Sequence, residues 1–254
     1  MRLEVLGCSG GIGGALRTTA MLVDHDVLID AGTGATDLSL EQLARINHVF
    51  LTHSHLDHIA AIAWIVDSVG SEREQPLVVH ALDATIHTLK DHIFNWRVWP
   101  DFTRIPNPQH PYLRFESLTT GMEINLAGRT FVAIPANHVV PAVGYRIDSG
   151  CHSLIFSGDT TTNDSLWRIA NQCGNLRYLL IETAFANRDR PIAEASKHLY
   201  PDQLAAELKK FTGQAEIFIT HMKPGQEVEI MAEIAAVGSG QQPRRLLQGQ
   251  VFDF

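Results

Sequence analysis

The chain lacks a cysteine pattern. Its three cysteines, Cys8, Cys151 and Cys173, are odd in number and match no CxxC or disulfide spacing, which argues against a disulfide scaffold and for a reducing compartment. It also lacks a basic run. Twenty Lys and Arg stand against 28 Asp and Glu, a formal charge of −8. That makes a poor generic binder of nucleic acid, because phosphate contacts need a basic face. A small anionic substrate stays open, since a metal could hold it locally. No apolar run approaches the roughly 18 residues of a membrane span, and the opening MRLEVLGCSGG has no signal-peptide core. A cytoplasmic protein with no membrane partner is the expectation. Repeats, low-complexity tracts and linkers are likewise missing, so the 254 residues, 45% of them hydrophobic, are read as one domain with a full core over 1–254.

What is present first reads as strands. RLEVLG is short and apolar, and AMLVD and VLIDAG flank His25-Asp26 like a hairpin; the first 52 residues are read as strands throughout. HVFLT (48–52) runs straight into FLTHSHLDHIAA, after which Ile59, Ile62, Ala63 and Val66 mark one face of a helix. LVVHA is a strand, followed by a helix near 82–94. Residues 95–117 are rich in Pro and aromatics and are expected to form an irregular excursion too apolar for a linker. Strands return at TFVAIPA, AVGYRI and SLIFSG. Helices near 164–173 and 201–211 then alternate with strands YLLIE and EIFIT, before a helix at about 228–237 and a strand near RLLQGQVF. Hairpins first and alternation later imply an α/β fold with mixed sheets covered by helices.

The chemistry sits at strand ends. His53, His55 and His58, with Asp57, crowd the turn after HVFLT. One histidine there would more often be incidental; three with an aspartate have the look of a ligand cluster. Further donors follow other apolar strands: His138 after FVAIPAN, Asp159 after SLIFSG, His221 after EIFIT. Any one alone would more often be a capping Asp or a satisfied His. Together they match the rule that sites in α/β sheets gather at the carboxyl ends of strands. Seven N or O donors are too many for one tetrahedral metal and suit two that share a bridging carboxylate. Zn²⁺ fits, and so do Mn²⁺ and Fe; donor type alone does not choose between them, and Zn²⁺ is the first expectation.

The segments THSHLDH, His138, Asp159 and His221 resemble the metallo-β-lactamase superfamily. That resemblance implies an αβ/βα four-layer sandwich: two mixed β-sheets flanked by helices, with a binuclear metal site between them. It implies that His53, His55 and His138 hold the first metal, that Asp57, His58 and His221 hold the second, and that Asp159 bridges. GCSGG, HIFNWRVWPDF, IPANHVVPAVGYRI, SLIFSGDT, LLIETAF, HLYPDQLAAEL and ITHMKPG, in order along nearly the whole chain, are similar to class II cyclic-nucleotide phosphodiesterases. HIAA departs mildly, with Ala where that family often has Gly. The implied reaction is hydrolysis of 3′,5′-cyclic nucleotides (cAMP or cGMP) to 5′-monophosphates by a metal-bridging hydroxide; the implied partners are a small phosphodiester substrate and a second copy of the chain in a homodimer. Asp57 would act as metal ligand and catalytic carboxylate, His198 would protonate the leaving oxygen, and Glu182 would orient His198. Without the resemblance, His198 reads as an ordinary residue at a helix start.

Other features have a structural reading and a functional one. Gly7, Gly10 and Gly11 suit close backbone packing near the site. Trp96, Trp99 and Phe102 could stack on a base, pack the excursion or form a dimer face. His25, His48, His80, His87, His92, His110 and His152 fall in regions without convergence. Three rivals use related features. A tRNA 3′-processing endonuclease would share the ligands and the Glu182/His198 pair, but the 21 positions from His138 to Asp159 leave no room for an inserted tRNA-binding arm. A lactonase or thioester hydrolase would not need a donor at His198. A non-catalytic cyclic-nucleotide or metal sensor would be expected to have lost ligands.

Overall fold

The computed structural model describes residues 1–238 and 240–254. In chain order the elements are β1 (Arg2–Gly7), β2 (Ala20–Val23), β3 (Val27–Ala31), α1 (Leu40–Arg45), β4 (His48–Phe50), α2 (Leu56–Val69), β5 (Leu77–Ala81), α3 (Asp83–His92) and β6 (Leu113–Ser117). They continue with β7 (Glu123–Leu126), β8 (Arg129–Pro135), β9 (Val143–Asp148), β10 (Ser153–Phe156), α4 (Asp164–Gln172), β11 (Leu176–Glu182), α5 (Arg190–Ser196) and α6 (Pro201–Leu208). Last come β12 (Glu216–Thr220), α7 (Glu227–Val237), β13 (Arg244–Arg245) and β14 (Val251–Asp253).

The strands form two seven-stranded sheets, ordered β14-β1-β2-β3-β4-β5-β6 and β13-β12-β11-β10-β9-β8-β7. Each is mixed in the same way. In the first, β14, β1, β2 and β3 pair antiparallel and β3 through β6 run parallel. In the second, β7 to β10 are antiparallel and β10 to β13 parallel. Strands covered on both faces are buried throughout and mostly apolar, as in VLIDA and SLIF, while β1 alternates inward Leu3 and Val5 with outward Arg2 and half-buried Glu4.

The two sheets face each other through a core that includes Val5, Met21, Phe50, Phe131, Tyr145, Phe156 and Phe218. The buried Tyr145 hydroxyl donates to the Leu51 carbonyl at 2.7 Å, so this polar tip is satisfied. Outside the first sheet, Ile59, Ile62 and Val66 of α2 pack with Leu89 of α3. Outside the second, Trp167 of α4, Leu204 and Leu208 of α6 and Ile230 of α7 do the same. The result is the expected four-layer αβ/βα sandwich of mixed sheets flanked by helices.

The local differences from the sequence reading have physical causes. Residues 40–45, read within a region of strands, form α1, started by a capping box in which Ser39 Oγ accepts from Gln42 N and Gln42 Oε1 accepts from Ser39 N. The excursion expected at 95–117 ends at Tyr112, because Leu113–Ser117 pairs parallel with β5 as an edge strand. Within it Phe102 is buried and Trp99 packs against the first sheet's outer core, whereas Trp96 is 60% exposed. The single closing strand is two short ones on different sheets, β13 beside β12 and β14 beside β1. Strand β7 and helix α5 had no apolar period strong enough to mark them.

Candidate metal centre

The donors converge where the strands end. His53 lies in the turn after β4, His55 is the N-cap of α2, and Asp57 and His58 occupy its first turn. His138 follows β8, Asp159 follows β10, and His221 directly follows β12 with φ of 64°. His53, His55, His138 and Asp159 offer ligand atoms that all lie within 4.8 Å of one another, and so do Asp57, His58 and His221. Asp159 Oδ2 stands between the groups, 3.7 Å from His53 Nε2, 3.4 Å from His58 Nε2 and 3.3 Å from His221 Nε2. Asp57 Oδ2 is 3.7 Å from both His58 Nε2 and His221 Nε2. His138 Nε2 and His55 Nδ1 are 3.2 Å apart. All seven donors named from the sequence are thus brought together.

The donor set fits cations. His53 Nε2, His58 Nε2 and Asp159 Oδ1 are buried with no hydrogen-bond partner, a cost that a bound ion removes. Two carboxylates and five imidazoles around one small volume are hard-to-borderline N and O donors suited to divalent metals.

A second ring aims these groups. Asp30, fully buried at the end of β3 with φ of 55°, places Oδ2 2.7 Å from His58 Nδ1. Thr52 holds Asp30 with its amide (2.7 Å to Oδ1) and its hydroxyl (2.8 Å to Oδ2), and that hydroxyl is 3.0 Å from His53 Nδ1. His138 Nδ1 is 3.2 Å from the Lys197 carbonyl, and Thr19 Oγ1 is 3.5 Å from His221 Nδ1. Each partner fixes which ring nitrogen faces inward. The N-terminal glycine loop is zipped onto the last donor: His221 N donates to Cys8 O at 2.8 Å and Gly10 N to Met222 O at 2.9 Å. A Cβ on Gly10 would stand 2.3 Å from His221 O, so only glycine lets the loop approach.

Beside the cluster lies a buried pair. Glu182, the last residue of β11, places Oε1 2.8 Å from His198 Nδ1 and also accepts from Thr160 N (3.0 Å) and Leu199 N (3.3 Å). The His198 ring stacks on His221 with centroids 5.3 Å apart and planes at 19°, and lies 5.0 Å from His138. Asp159, His198 and His221 also fall within the 4.8 Å grouping.

The electrostatics follow from burial among opposed charges. Burial pushes His221 down to about 3 and His138 to about 4, and lowers His53 well below the imidazole range, against the pull of Asp159. His55 is lowered by burial too. Burial opposes charge on His58, yet the Asp159 and Asp30 carboxylates raise it well above that range. Burial would raise Asp159, but His221 and His58 hold it well below ordinary carboxylates, and Asp57 is lowered in the same way by His58 and His221. Burial raises Glu182 and Asp30. His198 is raised: burial works against its charge and the Glu182 carboxylate wins.

Sequence reasoning missed Asp30, Thr52 and Thr19. The signal for Asp30 was present, because VLIDA is an apolar strand ending in a carboxylate, like SLIFSGD. It also missed one contact outside the site: His48 Nδ1 and His80 Nε2, read as isolated, are 3.0 Å apart on adjacent parallel strands.

The fold and the donor cluster define a class, the metal-dependent hydrolases built on two facing mixed sheets. The chain belongs to the Beta-lactamase superfamily domain family, whose model matches residues 25–237. It is 29% identical over 223 residues to a probable 3′,5′-cyclic-nucleotide phosphodiesterase of Yersinia pestis, a match that covers 74% of this chain and 62% of the relative, less than two thirds of that protein's length. It is 24% identical over 235 residues to a ribonuclease Z of Mycobacterium bovis, covering 84% of this chain and 82% of the relative. Among solved structures, unliganded yeast PDE1 superposes with a TM-score of 0.83 at 17% identity, over 100% of this chain and 99% of that one. Among the described residues, no helix is long and apolar enough to cross a membrane.

Proposed function

We propose that the protein is a binuclear metal-dependent phosphodiesterase that hydrolyses 3′,5′-cyclic nucleotides to 5′-mononucleotides. In this reading His53, His55 and His138 hold one divalent ion, Asp57, His58 and His221 hold the other, and Asp159 bridges. Zn²⁺ is the first candidate. Two such ions, when bound, neutralise phosphoryl charge and activate water near neutral pH. The chain's own residues do the rest. Asp30 and Thr52 hold the His58 and His53 rings in register, and the glycine loop holds His221. His198, kept protonated by Glu182, gives its Nε2 proton to the leaving 3′ oxygen, while its Nδ1 keeps its own proton and donates it in a hydrogen bond to the Glu182 carboxylate at 2.8 Å.

The observation that carries this reading is the buried Glu182–His198 pair stacked on the ligand His221. A phosphodiester with a poor alkoxide leaving group needs such a donor; a thioester, which expels a stabilised thiolate, does not. The similarity to the Yersinia pestis relative supports the cyclic substrate. A ribonuclease Z-like activity is the second reading, favoured by the 24% identity that covers most of that relative. The acidic chain, at −8, and the short span from His138 to Asp159 speak for the small substrate.

The test is turnover by metal-loaded protein of 3′,5′-cAMP, 3′,5′-cGMP and a precursor tRNA side by side. Release of 5′-AMP or 5′-GMP with no RNA cleavage is expected. Cleavage of the tRNA alone would overturn the cyclic-nucleotide reading in favour of the second one.

A further inference from the structure

The rim beside His198 carries two cations that, among the described residues, form no ion pair. The two arginines of the 183–200 segment are neutralised: Arg188 lies 2.6 Å from Glu229 and Arg190 2.7 Å from Glu194. Lys197 and Lys223 differ. Among the described residues, neither ammonium has a carboxylate within 4.0 Å. Both are held by oxygen atoms at the edge of the site instead. Lys197 Nζ donates to His138 O at 3.2 Å and sits 3.5 Å from Asn137 Oδ1. Lys223 Nζ donates to Gly10 O at 2.7 Å and lies 5.5 Å from the centre of the Phe185 ring.

Their placement brackets the buried pair. Lys197 immediately precedes His198, adopts a left-handed φ of 54°, and accepts at its carbonyl from His138 Nδ1. Its side chain is therefore fixed over the His138 side. Lys223 approaches from the other side. Its amide donates to Ala184 O at 2.9 Å, and the Phe185 ring beneath its ammonium packs edge-on against His198 at 5.8 Å. Lys197 is exposed and Lys223 half-buried, so both charges are open to solvent beside residues that contact the donor. Each ammonium has three N–H groups and so retains donors beyond the carbonyl that anchors it.

We propose that Lys197 and Lys223 determine substrate class by drawing in and holding an anionic substrate, a phosphodiester, against the mouth of the site. This deepens the phosphodiesterase reading and rests on it. Uncompensated charge at a cleft raises the local concentration of anions, and the effect fades with salt. A neutral ester or lactone gains nothing from it.

Two measurements on metal-loaded protein test this. The first is kcat/KM for bis(p-nitrophenyl) phosphate and for neutral p-nitrophenyl acetate, at low and high ionic strength, in wild type, Lys197→Met, Lys223→Met, the double variant and the Lys→Arg pair. The double variant is expected to lose about tenfold or more on the anionic diester, mostly in KM, with a flattened salt dependence, a smaller loss on the acetate, and recovery in the Arg pair. Equal losses on both substrates, or an unchanged salt slope, would overturn the proposal. The second is the calorimetric affinity for inorganic phosphate, which needs no turnover. Weaker binding in the double variant with full metal content supports the lysine bracket even where wild type fails to cleave any diester, an outcome that would sink the phosphodiesterase reading alone. Unchanged phosphate affinity would overturn the bracket whatever the enzyme hydrolyses.

Discussion

At the scale of single residues, His53, His58, His138 and His221 are each aimed by a partner on the other ring nitrogen. The partner at His58 is Asp30, at 2.7 Å in a fully buried position. Asp30→Ala is expected to weaken metal affinity by roughly 10- to 100-fold without removing any direct donor; competition against a fluorescent chelator measures it, and wild-type affinity would show that the ring needs no such partner. His198→Ala is expected to retain metal and to lose rate mainly on substrates with poor leaving groups, by about 10²- to 10⁴-fold. Comparing cAMP with an activated aryl phosphodiester reads this, and equal loss on both would remove the proton-donor role. The seven converging side chains could be picked out in the sequence because each follows an apolar strand. Asp30 was not singled out, because a lone Asp at a strand end also suits a turn, and only the packed structure shows His58 turned toward it.

At the scale of elements, legibility followed burial. Helix α2 was read from Ile59, Ile62, Ala63 and Val66, all of which are buried. Helix α1 has six residues and buries only Leu43, so it has too short an apolar face to show a period; its start is written in the Ser39/Gln42 box instead. Ser39→Ala is expected to cost about 1 kcal/mol of stability in urea unfolding and to leave metal content unchanged. An unchanged midpoint would mean that tertiary packing alone holds α1. Strand β7, EINL, alternates exposed and half-buried residues at the edge of its sheet, and β13 and β14 are so short that their pairing depends on which sheet edge the chain reaches. Such pairings are non-local and leave little mark in a local pattern.

At the scale of the whole molecule, the two sheets meet through aromatic stacking that includes a buried imidazole. Phe50 of the first sheet stacks on Phe131 of the second at 4.6 Å and on His80 at 4.4 Å. Burial, with the neighbouring His48 adding to it, pushes His80 down to about 4. The unfolded chain, with an ordinary imidazole near 6.5, then binds more protons than the folded one between those values. The stability contributed by neutral His80 is therefore fully present above about pH 6.5 and is lost as pH falls toward 4, by about 2 kcal/mol between pH 7 and pH 5. Urea titrations at several pH values on wild type and His80→Phe check this: the variant should show a shallower slope, and parallel slopes would show that His80 titrates alike in both states. An α/β fold of mixed sheets covered by helices was legible, since hairpins precede a β/α alternation, and the four-layer sandwich was implied by the family resemblance; which strands neighbour which, and so the His48–His80 contact, was not legible.

The central claim is that one carboxylate serves two metals. The most direct test is metal content per chain, by mass spectrometry of extensively dialysed protein, for wild type and Asp159→Ala. Asp159 Oδ2 lies within 3.7 Å of His53, His58 and His221, so the account predicts near two divalent ions in wild type and loss of most of both in the variant. A variant that keeps two ions, or a wild type that holds none and cannot be reconstituted, would contradict it.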